Sequence, residues 1–124
     1  MKLRIKGNSI RMRLTQGEVK TLLETGSVRD SLQFPGAKTL TYGISSTPGD
    51  IFDIKGGDGI IEICVPMKIL NKWSDISEVR ILSDISLASE SSLSVLIEKD
   101  FKCLTVRPNE DESDLFPNPL ESHE

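Results

Sequence analysis

The sequence is poor in the residues on which cross-linking and nucleophilic catalysis depend. Its 124 residues include two cysteines, Cys64 and Cys103, and a single histidine, His123. Both cysteines fall in predicted strands, so in a reducing compartment we expect two buried thiols in preference to a disulfide or a catalytic thiol. A cysteine nucleophile needs a base, and His123 lies next to the C-terminus, where chains usually fray. Cysteine catalysis is therefore disfavoured.

Aromatic residues and long apolar runs are also scarce. Phe, Trp and Tyr make up 5% of the chain, and the longest apolar stretches, such as GIIEICVP at residues 59–66, are too short to cross a bilayer. Lys2, Arg4 and Lys6 interrupt the apolar residues at the start, so no secretory signal is predicted. The few aromatics and the net charge of −4 disfavour nucleic acid as a partner. We expect a cytoplasmic protein that does not associate with membranes.

The rest of the composition is that of an ordinary globular protein, with 37% hydrophobic and 27% charged residues. We predict one α+β domain at residues 1–106 and an acidic, proline-containing tail at residues 107–124, which is either a docked strap or disordered. The charge is polarised along the chain. Residues 1–20 hold six cationic side chains and one acidic one, whereas residues 107–124 hold one cationic and six acidic ones. The two ends should therefore attract each other.

The first residues alternate between apolar and cationic side chains, which is the pattern of two strands with one buried face each. Gly7 and Asn8 tolerate the left-handed conformation that a tight turn between these strands needs. If the strands pair as a hairpin, five cations share one face, which we call the basic face: Lys2, Arg4, Lys6, Arg11 and Arg13. Like charges placed this close repel each other unless anions compensate them.

Two segments have the signals of helices. Thr15 followed by Glu18 predicts a capping box, and Gly26 suits the left-handed stop of a helix at residues 15–25. Pro66 predicts the first position of a shorter helix at residues 66–73. The remaining segments alternate as strands, so we predict a largely antiparallel sheet of about six or seven strands that could curl toward a barrel, with no internal repeat.

The basic face admits more than one interpretation. The favoured one is a solvated sheet face, neutralised by carboxylates of the same chain, on a non-enzymatic binding or interaction module. The alternative is a phosphate- or nucleotide-binding site in which Arg4, Lys6, Arg11 and Arg13 hold the anion through forked donors. A phosphate-directed hydrolase is less favoured, and we predict no cofactor. The ligand and any protein partner stay open, as does a homo-oligomer formed through an exposed edge strand.

The acidic tail has its own candidate site. Asp111, Glu112 and Asp114 could form a loose divalent-metal site, although the segment fails as a calcium loop because Asp114 stands where glycine is required. The competing interpretation is a strap whose carboxylates lie beside the basic face. Exposed ion pairs contribute only about 0–1 kcal/mol each, so burial of Leu115 and Phe116 would have to supply most of the docking free energy.

Both ends of the chain carry a family resemblance. RIKGNSIRMRLT at residues 4–15, EKDFKCL at 98–104 and EDESDLFPNP at 110–119 resemble segments of a family of short, uncharacterised bacterial proteins. The likeness covers nearly the whole chain. It implies membership of that family and a bacterial source, and it implies no activity.

Overall fold

A computed structural model describes residues 1–75, 78–101 and 114–117. These residues form an α+β fold. The strands are β1 (Lys2–Lys6), β2 (Ser9–Leu14), β3 (Ser27–Phe34), β4 (Lys38–Thr47), β5 (Asp53–Gly57), β6 (Ile60–Pro66), β7 (Arg80–Ser86) and β8 (Ser92–Lys99). The helices are α1 (Gln16–Thr25) and α2 (Met67–Trp73). Within the described ranges, no helix has the length and apolar composition needed to cross a membrane.

The predicted signals of helix α1 are confirmed. The Thr15 side chain accepts a hydrogen bond from the Glu18 amide, and the Glu18 side chain accepts one from the Thr15 amide, which completes the capping box. Gly26 ends the helix with φ of 88°, a left-handed conformation that costs glycine little.

Helix α2 begins one residue later than predicted. Pro66 is the N-cap, with ψ of 134°, and Met67 is the first helical residue. Leu70 and Trp73 are buried on one side, and the Trp73 indole Nε1 donates to the carbonyl of Val79 at 3.1 Å. This bond satisfies the polar end of an otherwise apolar side chain, so Trp73 is a core residue.

The prediction of one sheet of six or seven strands is wrong. The described strands form two four-stranded sheets, with the orders β1-β2-β8-β7 and β3-β4-β6-β5, and neither closes into a barrel. Each sheet joins two antiparallel hairpins through a parallel pair of central strands, so both sheets are mixed. Strands adjacent in sequence do pair as the alternation predicted. The parallel joins were not predicted because each connects strands from distant parts of the chain.

The order of elements repeats, contrary to the sequence prediction. Hairpin, helix and hairpin occur in residues 2–47 and again in residues 53–99. Each sheet takes one hairpin from each half, so exchanging the halves converts the order of one sheet into that of the other. The repeat lies in the topology, and neither half contains a complete sheet.

One hydrophobic cluster draws on both sheets and both helices. Its buried members are Ile10, Met12, Leu14, Val19, Leu22, Ile44, Ile63, Val65, Leu70, Trp73, Ile81, Val95 and Ile97. Because strand side chains alternate between faces, burying this set leaves the opposite face of each sheet toward solvent.

Candidate functional site

The outer face of the β1-β2-β8-β7 sheet carries the basic face. Lys2 lies opposite Arg13 and Arg4 lies opposite Arg11 in the antiparallel pairing of β1 with β2. Directly opposed residues project to the same side of a sheet, so the five cations share one face, in the register that the alternation predicted. The apolar residues of β2, such as Met12, are buried on the other side.

Two strands from the second half of the chain complete this surface. Glu98 of β8 lies beside Arg13, and Arg80 of β7 lies opposite Glu98, so that one row of side chains crosses all four strands. Asp84 of β7 belongs to the same outer face. The described residues of this face therefore include six cationic and two acidic side chains. The carboxylate of Asp100 also contacts Lys2, which leaves a formal excess of three positive charges.

Glu98 holds two of the arginines. Its Oε1 atom lies 3.3 Å from the Nε atoms of both Arg11 and Arg13. The Glu98 side chain is 19% exposed, whereas those of Arg11 and Arg13 are 38% and 41% exposed. Since each contact uses Nε, the terminal nitrogens of both guanidinium groups remain available as donors toward solvent.

Two shallow depressions lie between the cationic side chains. One, of about 150 Å³, is lined by Lys2, Arg4, Arg11 and Arg13. The other, of about 190 Å³, is lined by Arg4, Lys6, Ser9 and Arg11. The four residues predicted as anion ligands all line one or both of these depressions.

Arg4 and Lys6 are the least compensated of the five cations on the β1-β2 hairpin. Both side chains are exposed, and neither forms an ion pair with another residue in the parts of the chain that the structure describes. Arg4 also faces Arg11 directly across the hairpin. Opposed like charges destabilise a sheet, so an anion bound between them would relieve an existing repulsion.

The tail residues that the structure describes lie at the start of helix α1. The Asp114 Oδ1 atom accepts from the Gly17 amide at 3.2 Å, and the Asp114 carbonyl accepts from the Gln16 amide at 3.1 Å. A carboxylate is stabilised at a helix N-terminus, where amides lack partners and the dipole is positive. Asp114 is therefore engaged at α1 and does not compensate the basic face. Asp100 instead contacts Lys2, with Oδ2 at 3.2 Å from Nζ.

Apolar contacts hold this part of the tail. Leu115 is 7% exposed, and the Phe116 ring lies 5.9 Å from that of Phe101. The Phe116 ring also lies 5.6 Å from the Nζ atom of Lys99. Burial lowers the pKa of Lys99, whose Nζ donates to the carbonyls of Asp75 and Glu78.

The metal prediction rests on residues that are only partly described. Asp111 and Glu112 lie outside the described residues, so the three-carboxylate site stays a prediction. Cys103 also lies outside them, so its predicted burial stays a prediction as well. Among the described residues, no group of three His, Cys, Asp or Glu side chains is arranged to hold a metal ion.

The outer face of the other sheet carries a separate polar cluster. Arg29 reaches across β4 to Glu62, with its Nη2 atom 2.9 Å from Oε1, and the Ser45 hydroxyl donates to the same carboxylate. This hydroxyl, and then Arg29, hold the pKa of Glu62 below its ordinary value against the opposing effect of burial. Next to Ser45, burial raises the pKa of Cys64, as expected for an inert thiol.

Sequence reasoning missed Arg80 and the role of Glu98 at the basic face. Both residues join it only through the pairing of β8 with β2 and β7. The sequence did indicate that Arg80 and Glu98 face solvent, because each occupies a polar position in a strand that alternates between apolar and polar residues. Nothing local, however, indicates that this hairpin lies beside the first.

The family of the chain is established by a match that covers almost all of it. Residues 1–120 match the model of a family of unknown function (DUF7009), and the chain belongs to that family. This confirms the resemblance at the level of an uncharacterised family. No curated protein and no solved structure matches the chain.

Proposed function

We propose that this DUF7009 protein is a binding protein whose basic face holds the phosphate groups of an anionic ligand. The observation that carries the proposal is the register of β1, β2, β8 and β7, which gathers six cations and two carboxylates on one outer face. Forked guanidinium donors on rigid strands match the geometry of phosphate oxygens, and a phosphate monoester carries more negative charge than a single carboxylate.

Arg11 and Arg13 are already held in place by a carboxylate, which favours ligand binding. Glu98 fixes the Nε atoms of Arg11 and Arg13 before any ligand arrives. Less side-chain freedom is then lost on binding, which favours affinity. The contact leaves each guanidinium enough donors for a second partner.

The arrangement favours a binding role over catalysis. The two depressions are lined by cations and by Ser9, whose hydroxyl donates to the Lys6 carbonyl at 2.7 Å. Such a set can orient and neutralise phosphate oxygens. Glu98, the carboxylate beside these cations, is paired with Arg11 and Arg13. The polar cluster that includes Glu62 is on the other sheet.

The experiment compares two charge-matched double variants. Arg4→Gln with Arg11→Gln removes the shared cations of the two depressions, whereas Lys20→Gln with Lys38→Gln removes the same charge from exposed sites on α1 and β4. We expect inorganic phosphate, at constant ionic strength, to raise the melting temperature of the wild type and of the lysine variant. The arginine variant should lose this response and keep its fold, because an unfavourable cation pair has been removed and Glu98 keeps its contact with Arg13.

Two results would contradict the proposal. The first is an equal response in both double variants, which would indicate general screening of charge. The second is no phosphate response in the wild type, with no binding by calorimetry. Circular dichroism of each variant provides the check that the sheets are intact.

We further propose that the protein is bacterial and works in the cytoplasm, as the sequence suggested. The buried thiol of Cys64 supports this location, since free cysteines persist in reducing compartments. Fractionation of cells that express a tagged full-length chain tests it. Recovery in a secreted or membrane fraction would contradict it.

A further inference from the structure

The two depressions of the basic face adjoin each other. The cross-strand pair Arg4 and Arg11 lines both, while Lys2 and Arg13 complete the first and Lys6 and Ser9 complete the second. The face therefore offers two neighbouring positions for an anionic group, with a pair of arginines between them. A ligand with a single phosphate would occupy only one.

The strands set the spacing of these positions. Three rows of side chains cross the β1-β2 pair on this face, and they begin at Lys2, Arg4 and Lys6 of β1. Neighbouring rows are therefore two residues apart along the strand. Two residues of a strand rise about 6.7 Å, so the two positions are separated by about that distance. Two phosphorus atoms that share a bridging oxygen lie much closer together than this. Two phosphate groups on different carbons of a sugar can be separated by about the distance between the two positions.

The charge of the face agrees with two phosphate groups. A phosphate monoester carries about −1.5 to −2 charges at neutral pH, so two of them carry about −3 to −4. Counted with the Asp100 carboxylate that contacts Lys2, the described side chains of the face have a formal excess of three positive charges. One monoester would leave about a third to a half of that excess uncompensated.

We infer that the ligand of the basic face is a small molecule with two phosphate monoesters on different carbons, one phosphate in each depression. This inference rests on the proposed function and specifies its ligand class. Arg4 and Arg11 contact both phosphates through separate nitrogens of their guanidinium groups, which have enough donors for two acceptors. Lys6 contacts only the second phosphate.

A pair of isomeric nucleotides tests the spacing directly. Adenosine 3′,5′-bisphosphate and adenosine diphosphate have the same atoms and nearly the same charge, but their phosphates are held apart in the first and bridged in the second. We expect calorimetry on the full chain to show about tenfold or more tighter binding of the bisphosphate, because one further set of charge-assisted hydrogen bonds forms.

Lys6→Gln is the matching variant, and Lys38→Gln is its control. Removing Lys6 weakens the second position, so the advantage of the bisphosphate should shrink to a few-fold or less. Lys38 lies on the other sheet, at the start of β4, and its removal should leave the ratio of the two affinities unchanged.

The outcomes separate this inference from the proposed function. Three results would overturn the two-position ligand but not phosphate binding itself. They are equal affinities for the two nucleotides, tighter binding of the diphosphate, and a preference for the bisphosphate that Lys6→Gln leaves unchanged. Absence of binding by both nucleotides and by inorganic phosphate would overturn both. A short single-stranded oligonucleotide that binds more tightly than the bisphosphate, with the same dependence on Arg4 and Arg11, would assign the face to a nucleic-acid backbone and overturn the small ligand.

Discussion

Gly43 occupies the point at which Arg29 crosses β4 to reach Glu62. A Cβ atom at this position would lie 2.3 Å from the carbonyl oxygen of Val28 and 2.7 Å from Cγ of Arg29. The arginine can move away, but the carbonyl belongs to the neighbouring strand and cannot move without disturbing the pairing of β3 with β4. Glycine is thus required here because the backbones of β3 and β4 approach each other closely.

Gly43→Ala should lower the free energy of unfolding by about 2 kcal/mol or more, since overpacking against backbone forces a strand to shift. Urea denaturation measures the change. Gly49→Ala is the matched control, because nothing lies within 4 Å of its added carbon. Equal stability of the two variants would contradict the role given to Gly43.

The lowered pKa of Glu62 predicts a pH dependence of stability. The folded chain protonates this carboxyl at a lower pH than the unfolded chain, so its contribution is present above the unfolded value of about 4.5 and is lost as pH falls through the folded value. Ser45→Ala removes the largest cause of the shift. We expect lower stability at neutral pH, and a smaller loss between neutral pH and about pH 3 than in the wild type.

Urea denaturation at several pH values provides the measurement for Ser45→Ala. Ser31→Ala, on the same outer face of β3, is the control and should keep the wild-type profile. Parallel pH profiles for wild type and Ser45→Ala would show that the hydroxyl does not stabilise the carboxylate.

Helix α1 depends on signals that are local in sequence. Thr15→Ala removes the N-cap hydroxyl and should cost about 1 kcal/mol. Thr21→Ala, at an exposed position of the same helix, removes a hydroxyl that donates to the Gly17 carbonyl within the helix, and alanine has the better helix propensity. We expect this control to be neutral or slightly stabilising in thermal denaturation. A loss in Thr21→Ala as large as that in Thr15→Ala would contradict the capping argument.

Local signals explain which elements the sequence could predict. The capping box and Gly26 specified α1 within a residue or so, and alternation specified the hairpins and the shared face of the five cations. Glycine and proline marked the turns. These features need only neighbours along the chain, so their physics is readable in a short window.

Long-range pairing explains the remainder. β2 pairs with β8, and β4 pairs with β6, through backbone hydrogen bonds that carry no side-chain signature. Arg80 and Glu98 reached the basic face only through these pairings. Because these pairings have no local signal, the sequence analysis predicted one sheet where the structure has two, and it did not detect the repeated order of elements.

The interleaving of the two halves predicts that neither folds alone. The described parts of residues 1–48 and of residues 49–124 each contain two hairpins and one helix, but each central strand has its parallel partner in the other half. Isolated hairpins are marginally stable in water. We expect each fragment alone to lack a cooperative thermal transition, and an equimolar mixture to regain one by circular dichroism. A concentration-independent transition in either single fragment would contradict this.

The pairing of Arg13 with Glu98, 85 residues apart in the chain, also sets when the basic face can form during synthesis. During synthesis β1 and β2 are made well before β8, the strand that carries Glu98. Until β8 has been made, Arg11 and Arg13 lack this carboxylate. The face can therefore present its two arginines in a fixed position to a ligand only after β8 has joined β2.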